Sequence, residues 1–524
     1  MIMKFLRPRN EGIIVVDYGS QYTLLITRRL REIGVYSEMV ASDSLSPPEN
    51  FKVHGVILSG GPDTVTDQGA RSLPSWLLEM QTPVLGICYG MQLLVEHFGG
   101  KLRSGESREY GRAPLRLEEK LTGVAEIVFK GIPQEHVVWM SHGDDMDGLP
   151  KDFKLAARTE DGVAAAIYHE KAPFIGLQYH PEVHHSDYGT DLLENFAIDV
   201  CEAPKNWLID SMVEATIESI KQTVGDGKVL VACSGGVDSS VAAALLTKAL
   251  GAENVTGIFV DNGLLRKNEV PWVTQKLTHM GVNLHVEDAK EIFYSKLEGL
   301  TDPEDKRKTI GYTFIEVFEG FAKSHSGEFS HLGQGTLYPD VIESAGHGDG
   351  SKVIKSHHNV GGLPEKLALE LVEPFRYLFK DEVRKIGREL GISDEMVNRH
   401  PFPGPGLGIR IPGEISREKV AILQEADDIF IRELKDSGLY DKVWQAFVVL
   451  LPVKSVGVMG DNRTYQWACT LRAVEAMDGM TAAVANLPYD FITKVSDQIV
   501  RKVDGINRVL YDITSKPPGT IEWE

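Results

Sequence analysis

Residues 228–240 read Lys-Val-Leu-Val-Ala-Cys-Ser-Gly-Gly-Val-Asp-Ser-Ser, and their order decides the fold of the middle of the chain. The apolar run Val229 to Ala232 has the length and composition of a buried strand. It stops at Ser234, Gly235 and Gly236, and an alanine-rich helical pattern, Val241 to Leu250, follows directly. Such a turn leaves backbone N–H groups at a helix N-terminus without intrahelical acceptors, and the helix dipole adds partial positive charge there. Phosphate binds such an end without any lysine, and the hydroxyls of Ser234, Ser239 and Ser240 add donors. An ordinary strand-to-helix turn uses glycine for tightness alone; the flanking serines and Asp238 in register favour a phosphate cradle. No Gly-Lys-Ser or Gly-Lys-Thr tripeptide occurs anywhere, so this is not a Walker loop.

The pattern Ser234-Gly235-Gly236-Val237-Asp238-Ser239-Ser240 resembles the pyrophosphate (PP) loop of the ATP pyrophosphatase superfamily. Members of that superfamily split ATP into AMP and pyrophosphate while adenylating a carbonyl or carboxyl oxygen. Asp261-Asn262-Gly263 ends the next apolar run, Val255 to Val260, where a parallel sheet would present a ligand, although Asp261 serves equally well as a turn former. Leu332-Gly333-Gln334-Gly335 reads as another strand and glycine turn aimed at the same crevice.

Working toward the N-terminus, Gly12 to Tyr18, Val35 to Val40, Val53 to Leu58 and Pro83 to Ile87 read as strands alternating with a helical stretch near Tyr22 to Ile33, the pattern of a parallel α/β sheet. The third strand ends in Ser59-Gly60-Gly61-Pro62. The fourth runs into Cys88-Tyr89-Gly90-Met91-Gln92. Gly86-x-Cys88-x-Gly90 has the spacing of a nucleophile elbow, in which small flanking residues permit the sharp turn that exposes the central side chain. A cysteine after an apolar strand is more often a small buried hydrophobe, but the two glycines reverse that preference. Its base and orienting group need not be near in sequence. Residues 174–182, Phe-Ile-Gly-Leu-Gln-Tyr-His-Pro-Glu, place an imidazole and a carboxylate on one loop stiffened by Pro181. His184 and His185 follow, with no cysteine or second carboxylate to complete metal-ligand spacing, and read as solvated or structural.

Cys88, His180 and Glu182, with Gly86-x-Cys88-x-Gly90-x-Gln92, resemble the catalytic triad of a class I glutamine amidotransferase. The resemblance implies a glutamyl thioester and released ammonia, and it assigns the Gly61 and Tyr89 backbone N–H groups to an oxyanion hole. Ser141-His142-Gly143-Asp144 is similar to a substrate-pocket motif of these domains and reads equally well as a plain polar turn.

Composition frames these motifs. The chain has 524 residues, room for about three domains at roughly 150 residues each. Hydrophobic residues at 42% and charged residues at 25% fit an ordinary globular protein, and a net charge of −20 argues against a constitutive nucleic-acid or anionic-membrane surface. The four cysteines are scattered, no stretch approaches a membrane span, and the N-terminal residues have no signal-peptide core, so a reducing cytoplasm is expected. Those features also count against a tRNA-modifying enzyme, which would want a basic face and paired reactive cysteines.

Boundaries are expected near Glu202-Ala203-Pro204 and at the proline- and glycine-rich His400 to Gly413, dividing the chain into 1–203, 204–400 and 401–524. The order of these segments, with Ile354 to Asn359, His400 to Leu407 and Lys516 to Glu522, resembles the glutamine-hydrolysing GMP synthase family over essentially the whole chain. That resemblance implies two parallel-sheet α/β domains, amidotransferase and PP-loop pyrophosphatase, followed by a small α+β dimerisation domain. It implies xanthosine 5′-monophosphate (XMP), ATP and glutamine as substrates, Mg2+ as cofactor, and a homodimer. The ammonia would travel by a sequestered route to an adenylated XMP. Arg410, Lys516, Ile521 and Glu522 are the expected XMP contacts. Lys355, His357 and His358 belong to a lid segment, where Lys355 could meet a phosphoryl group.

Overall fold

A computed structural model describes residues 8–65, 69–345, 369–459, 462–476 and 482–524. The chain divides into two compact units, one ending at Met212 and the other formed by Val213–Glu524. The boundary expected at 203/204 precedes that division. The one expected at 400/401 falls inside the second unit, because side chains from both sides of it, such as Leu230, Ile258, Leu423, Phe430, Val448 and Val495, share one core.

The first unit is built on a nine-stranded sheet. Its strands are β1 (Glu11–Asp17), β2 (Ser37–Ala41), β3 (Lys52–Leu58), β4 (Val84–Ile87), β5 (Lys101–Leu117), β6 (Glu135–Gly148), β7 (Phe153–Thr159), β8 (Ala164–His169) and β9 (Phe174–Leu177), in the order β2-β1-β3-β4-β9-β8-β7-β5-β6. The portion β2-β1-β3-β4-β9 is parallel. Ile13 and Val15 enter the core on one face and Ile14 and Val16 the core on the other, which is why β1 reads as an unbroken apolar run. From β9 outward the sheet continues antiparallel, an extension not anticipated from the sequence.

The second unit opens with a five-stranded parallel sheet of β10 (Val229–Ala232), β11 (Val255–Asp261), β12 (Asn283–Asp288), β13 (His331–Gly333) and β14 (Glu370–Val372), in the order β12-β11-β10-β13-β14. The chain leaves β10 in one direction and later returns to its other side, so the loop after β10 lies at a topological switch point, where such sheets bind ligands. A second, mostly antiparallel sheet follows. It contains β15 (Gln445–Met459), β16 (Asn462–Glu475) and β17 (Ala483–Val484), with β18 (Ile506–Asp512) parallel to β16. Helices Arg417–Asp436 and Tyr489–Lys502 bury Leu423, Phe430, Val495 and Ile499 in the shared core. Among the described residues, no helix is long and apolar enough to cross a membrane.

Candidate active sites

The first site forms where β4 turns into helix Tyr89–His97. Cys88 adopts φ 50°, ψ −106°, a backbone region that most side chains avoid. The turn is sterically closed to anything larger than glycine. A Cβ on Gly90 would lie 2.5 Å from the Leu58 carbonyl oxygen, and one on Gly86 would lie 2.6 Å from the Gly90 carbonyl group. The β3 end is tied to the elbow by Gly90 N–H donating to Ser59 O at 3.1 Å. Tyr89 is the first residue of its helix, so its N–H has no intrahelical acceptor, and Gly61 packs beside the Tyr89 ring.

The loop after β9 supplies His180 and Glu182, both buried, with Nδ1 of the imidazole 2.8 Å from Oε1 of the carboxylate. Burial disfavours charge on His180. The Glu182 carboxylate and the Cys88 sulfur outweigh it and hold the imidazolium well above its ordinary range. Ser186 Oγ donates to His180 O at 2.6 Å, and the Tyr22 ring meets the imidazole edge-on at 5.1 Å, fixing its orientation.

Residues 141–144 lie in β6 and not in a turn, and the Ser141 carbonyl accepts from Cys88 Sγ at 3.7 Å. Gln178, not singled out from the sequence, donates Nε2 to the same sulfur at 3.7 Å. Its only local signal is a polar residue closing an apolar strand. The His185 ring meets Trp139 in a tilted contact at 4.7 Å and His184 is exposed, and among the described residues no group of three or more His, Cys, Asp or Glu is placed to hold a metal ion.

The second site lies at the β10 switch point. Ser234, Gly235 and Gly236 form the turn, and Val237, Asp238, Ser239 and Ser240 open helix Val237–Leu250. Ser239 Oγ accepts from Ser234 N at 3.1 Å and lies 3.0 Å from Ser234 Oγ, which closes the loop on itself. Gly235 sits at φ +73°, where a Cβ would lie 2.9 Å from Val273 Cγ2. Polar atoms of this loop and of the turns after β11 and β13 lack protein partners: Asp238 Oδ1, Ser240 Oγ, Asn262 Nδ2 and Thr336 Oγ1 are buried and unsatisfied. Buried polar atoms of this kind call for a ligand or ordered water. Gly335 passes close enough that a Cβ there would lie 3.2 Å from Asp238 backbone atoms, so the turn after β13 does reach the crevice. Asp261 is committed to Lys290 at 3.0 Å and to its own turn through Gly263 N.

The expected XMP residues gather at the C-terminal stretch, partly engaged with each other. Arg410 is fully buried and donates Nε and Nη2 to the two Glu522 carboxylate oxygens, at 3.2 and 2.9 Å. Its Nη1 has no partner, and it lies over Phe447 at 4.2 Å. Ile521 is buried among Phe447, Val449 and Val474, and Lys516 bridges Ala482 through the backbone. This stretch is docked: Lys306 and Arg307 bind Glu524, and Arg472 reaches the carbonyls of Thr514, Thr520 and Ile521 at 2.5, 3.0 and 3.4 Å. Lys355, His357 and His358 lie outside the described residues.

An elbow cysteine facing a buried His–Glu pair, carried on one chain with a phosphate loop at a parallel-sheet switch point, defines a class: a triad glutamine amidotransferase joined to an ATP-cleaving synthetase. Comparison with known proteins agrees. Residues 14–200 match the family described as glutamine amidotransferase class-I, 209–310 match NAD synthase, and 432–523 match the GMP synthase C terminal domain. Proteins named GMP synthase (glutamine-hydrolyzing) from Aquifex aeolicus and Thermotoga maritima are each 54% identical, covering 98% of this chain and 100% of the relative. One from Thermosipho africanus is 52% identical, covering 98% of this chain and 99% of the relative. The chain belongs to the glutamine-hydrolysing GMP synthase family.

Proposed function

We propose that this chain makes GMP from XMP, ATP and glutamine. The observation that carries the reading is the presence, on one chain, of the Cys88 elbow with its His180–Glu182 pair and of a phosphate loop whose Asp238 Oδ1 and Ser240 Oγ are buried and unsatisfied. Cys88, as thiolate, attacks the glutamine side-chain carbonyl carbon. The oxyanion is received by the N–H groups of Gly61 and Tyr89, and His180 passes a proton to the departing ammonia. Water then hydrolyses the thioester, with His180 as base, to release glutamate. In the second unit the XMP C2 oxygen attacks the α-phosphorus of ATP and pyrophosphate leaves. Ammonia adds at C2, AMP leaves with the C–O bond electrons, and GMP remains. Ammonia must arrive unprotonated, since ammonium has no lone pair for that attack.

Ser234 to Ser240 hold the phosphates, with Lys380, 3.6 Å from Asp238, adding positive charge. Asp238, with one buried carboxylate oxygen lacking a protein partner, would help to hold Mg2+, which would supply charge neutralisation at the phosphates. In this reading Lys355, His357 and His358 form the lid, and Arg410, Lys516, Ile521 and Glu522 contact XMP. A homodimer forms through the third segment, supported by Val453, Val456, Val458 and Tyr465, which stand exposed along β15 and β16. The enzyme works in the cytoplasm.

The test is product analysis with XMP, Mg-ATP and glutamine labelled with 15N in the amide. GMP carrying 15N, with AMP, pyrophosphate and glutamate in equal amounts, is expected. ATP cleavage without GMP would remove XMP as the acceptor.

A further inference from the structure

Arg399 precedes the proline- and glycine-rich loop, outside every motif described above. It is nonetheless buried, 9% exposed, and its guanidinium joins two elements far apart in sequence. Nη1 donates to the Gly235 carbonyl at 2.9 Å, and Nη2 pairs with Glu269 Oε1 at 2.5 Å, itself 6% exposed. Its charged face lies over Trp272 at 5.0 Å and Phe402 at 6.0 Å. A buried ion pair with aromatic cover is costly to assemble unless its geometry is used, because two charges have left water.

The use follows from the peptide group. The Gly235 carbonyl and the Gly236 N–H belong to one planar trans unit and point in opposite directions. A guanidinium that captures the carbonyl on the buried side therefore turns the N–H toward the exposed side. There Gly236 N–H has only a long 3.4 Å contact to Ser234 Oγ. Gly235 at φ +73° leaves this peptide free to flip, since glycine adopts either hand at little cost. Glu269 in turn holds the guanidinium, and its Oε1 lies 3.4 Å from where a Gly235 Cβ would stand.

We propose that Arg399, held by Glu269, is a positioning residue that locks the Gly235–Gly236 peptide with its N–H facing the ATP phosphates. The inference rests on the functional reading above. Arg399→Met removes the clamp. Arg399→Lys keeps the charge but reaches only one of the two partners, because an ammonium lacks the planar fork.

The test uses ammonia-dependent GMP formation by the full-length enzyme, with thermal melting of each variant. For Arg399→Met the expected result is a KM for ATP raised about tenfold or more, an unchanged KM for XMP, and partial recovery on adding guanidinium chloride at non-denaturing concentration. Arg399→Lys should fall between, and it serves as the deciding variant if Arg399→Met does not fold. An unchanged KM for ATP in Arg399→Lys would overturn the proposal. So would a parallel loss of affinity for ATP and XMP without guanidinium rescue, which marks a merely structural role. Failure of the unmodified enzyme to convert XMP, ATP and ammonia would instead overturn the functional reading, and with it the clamp.

Discussion

At Cys88 the backbone and the side-chain chemistry depend on each other. The strained φ of 50° lifts the sulfur off the strand end, and the loop after β9 brings His180 to it. Cys88→Ala should abolish glutamine-dependent synthesis and leave ammonia-dependent synthesis within about twofold, because no part of the second unit is altered; GMP yield with either nitrogen source checks this. Retained glutamine use would refute the nucleophile. The charge on His180 gives a pH prediction. Its folded-state pKa is raised above the 6.5 of an ordinary imidazole, so the imidazolium's stabilisation is complete below that pH and is lost as pH rises through the raised value. Alkylation of Cys88 by iodoacetamide should therefore report a His180-linked transition above pH 6.5. Glu182→Gln removes the main source of the raise, so that transition should move to lower pH, and glutamine turnover should fall about a hundredfold.

Among the elements, those with one strong local signal were legible and those defined by distant partners were not. β1, β3, β4, β10 and β11 are mostly apolar runs followed within three residues by glycine, and each lies within a residue or two of where the pattern puts it. The antiparallel extension was hidden because β5 is interrupted by Arg103, Gly105, Glu109 and Gly111, so no alternation survives to be read. Pro452 and Lys454 break the apolar run of β15, so its full length carries no continuous strand pattern. The structure carries it through with a register shift between Leu450 and Lys454. Arg399 and Arg472 were invisible for a different reason: a lone arginine announces nothing until its partners, far away in sequence, are folded against it.

Gly90→Ala pushes a methyl against the Leu58 carbonyl and should cost about 1–3 kcal/mol of stability with loss of glutaminase activity, read by thermal unfolding and glutamate release. Arg472 clasps both limbs of the stretch carrying Lys516 and Glu522, so Arg472→Met should raise the KM for XMP about tenfold or more while leaving the KM for ATP near its original value. Steady-state kinetics with ammonia as the nitrogen source would decide it. Equal change in both constants would argue against the clasp.

Across the whole molecule, each unit closes its own core. Calorimetry should therefore resolve two transitions, with ATP and XMP raising only the one that belongs to Val213–Glu524. A single transition that both ligands shift would contradict this. The cysteines have a more practical consequence. All four are unpaired, and burial pushes the thiols of Cys233 and Cys469 up to about 12 and that of Cys201 higher still. Those three thiols are expected to resist alkylation in the native protein, and the fourth sits where glutamine is expected to react. One equivalent of a thiol-selective dye per chain would then count competent glutaminase sites in any preparation, turning the scarcity of reactive sulfur into an internal standard for specific activity.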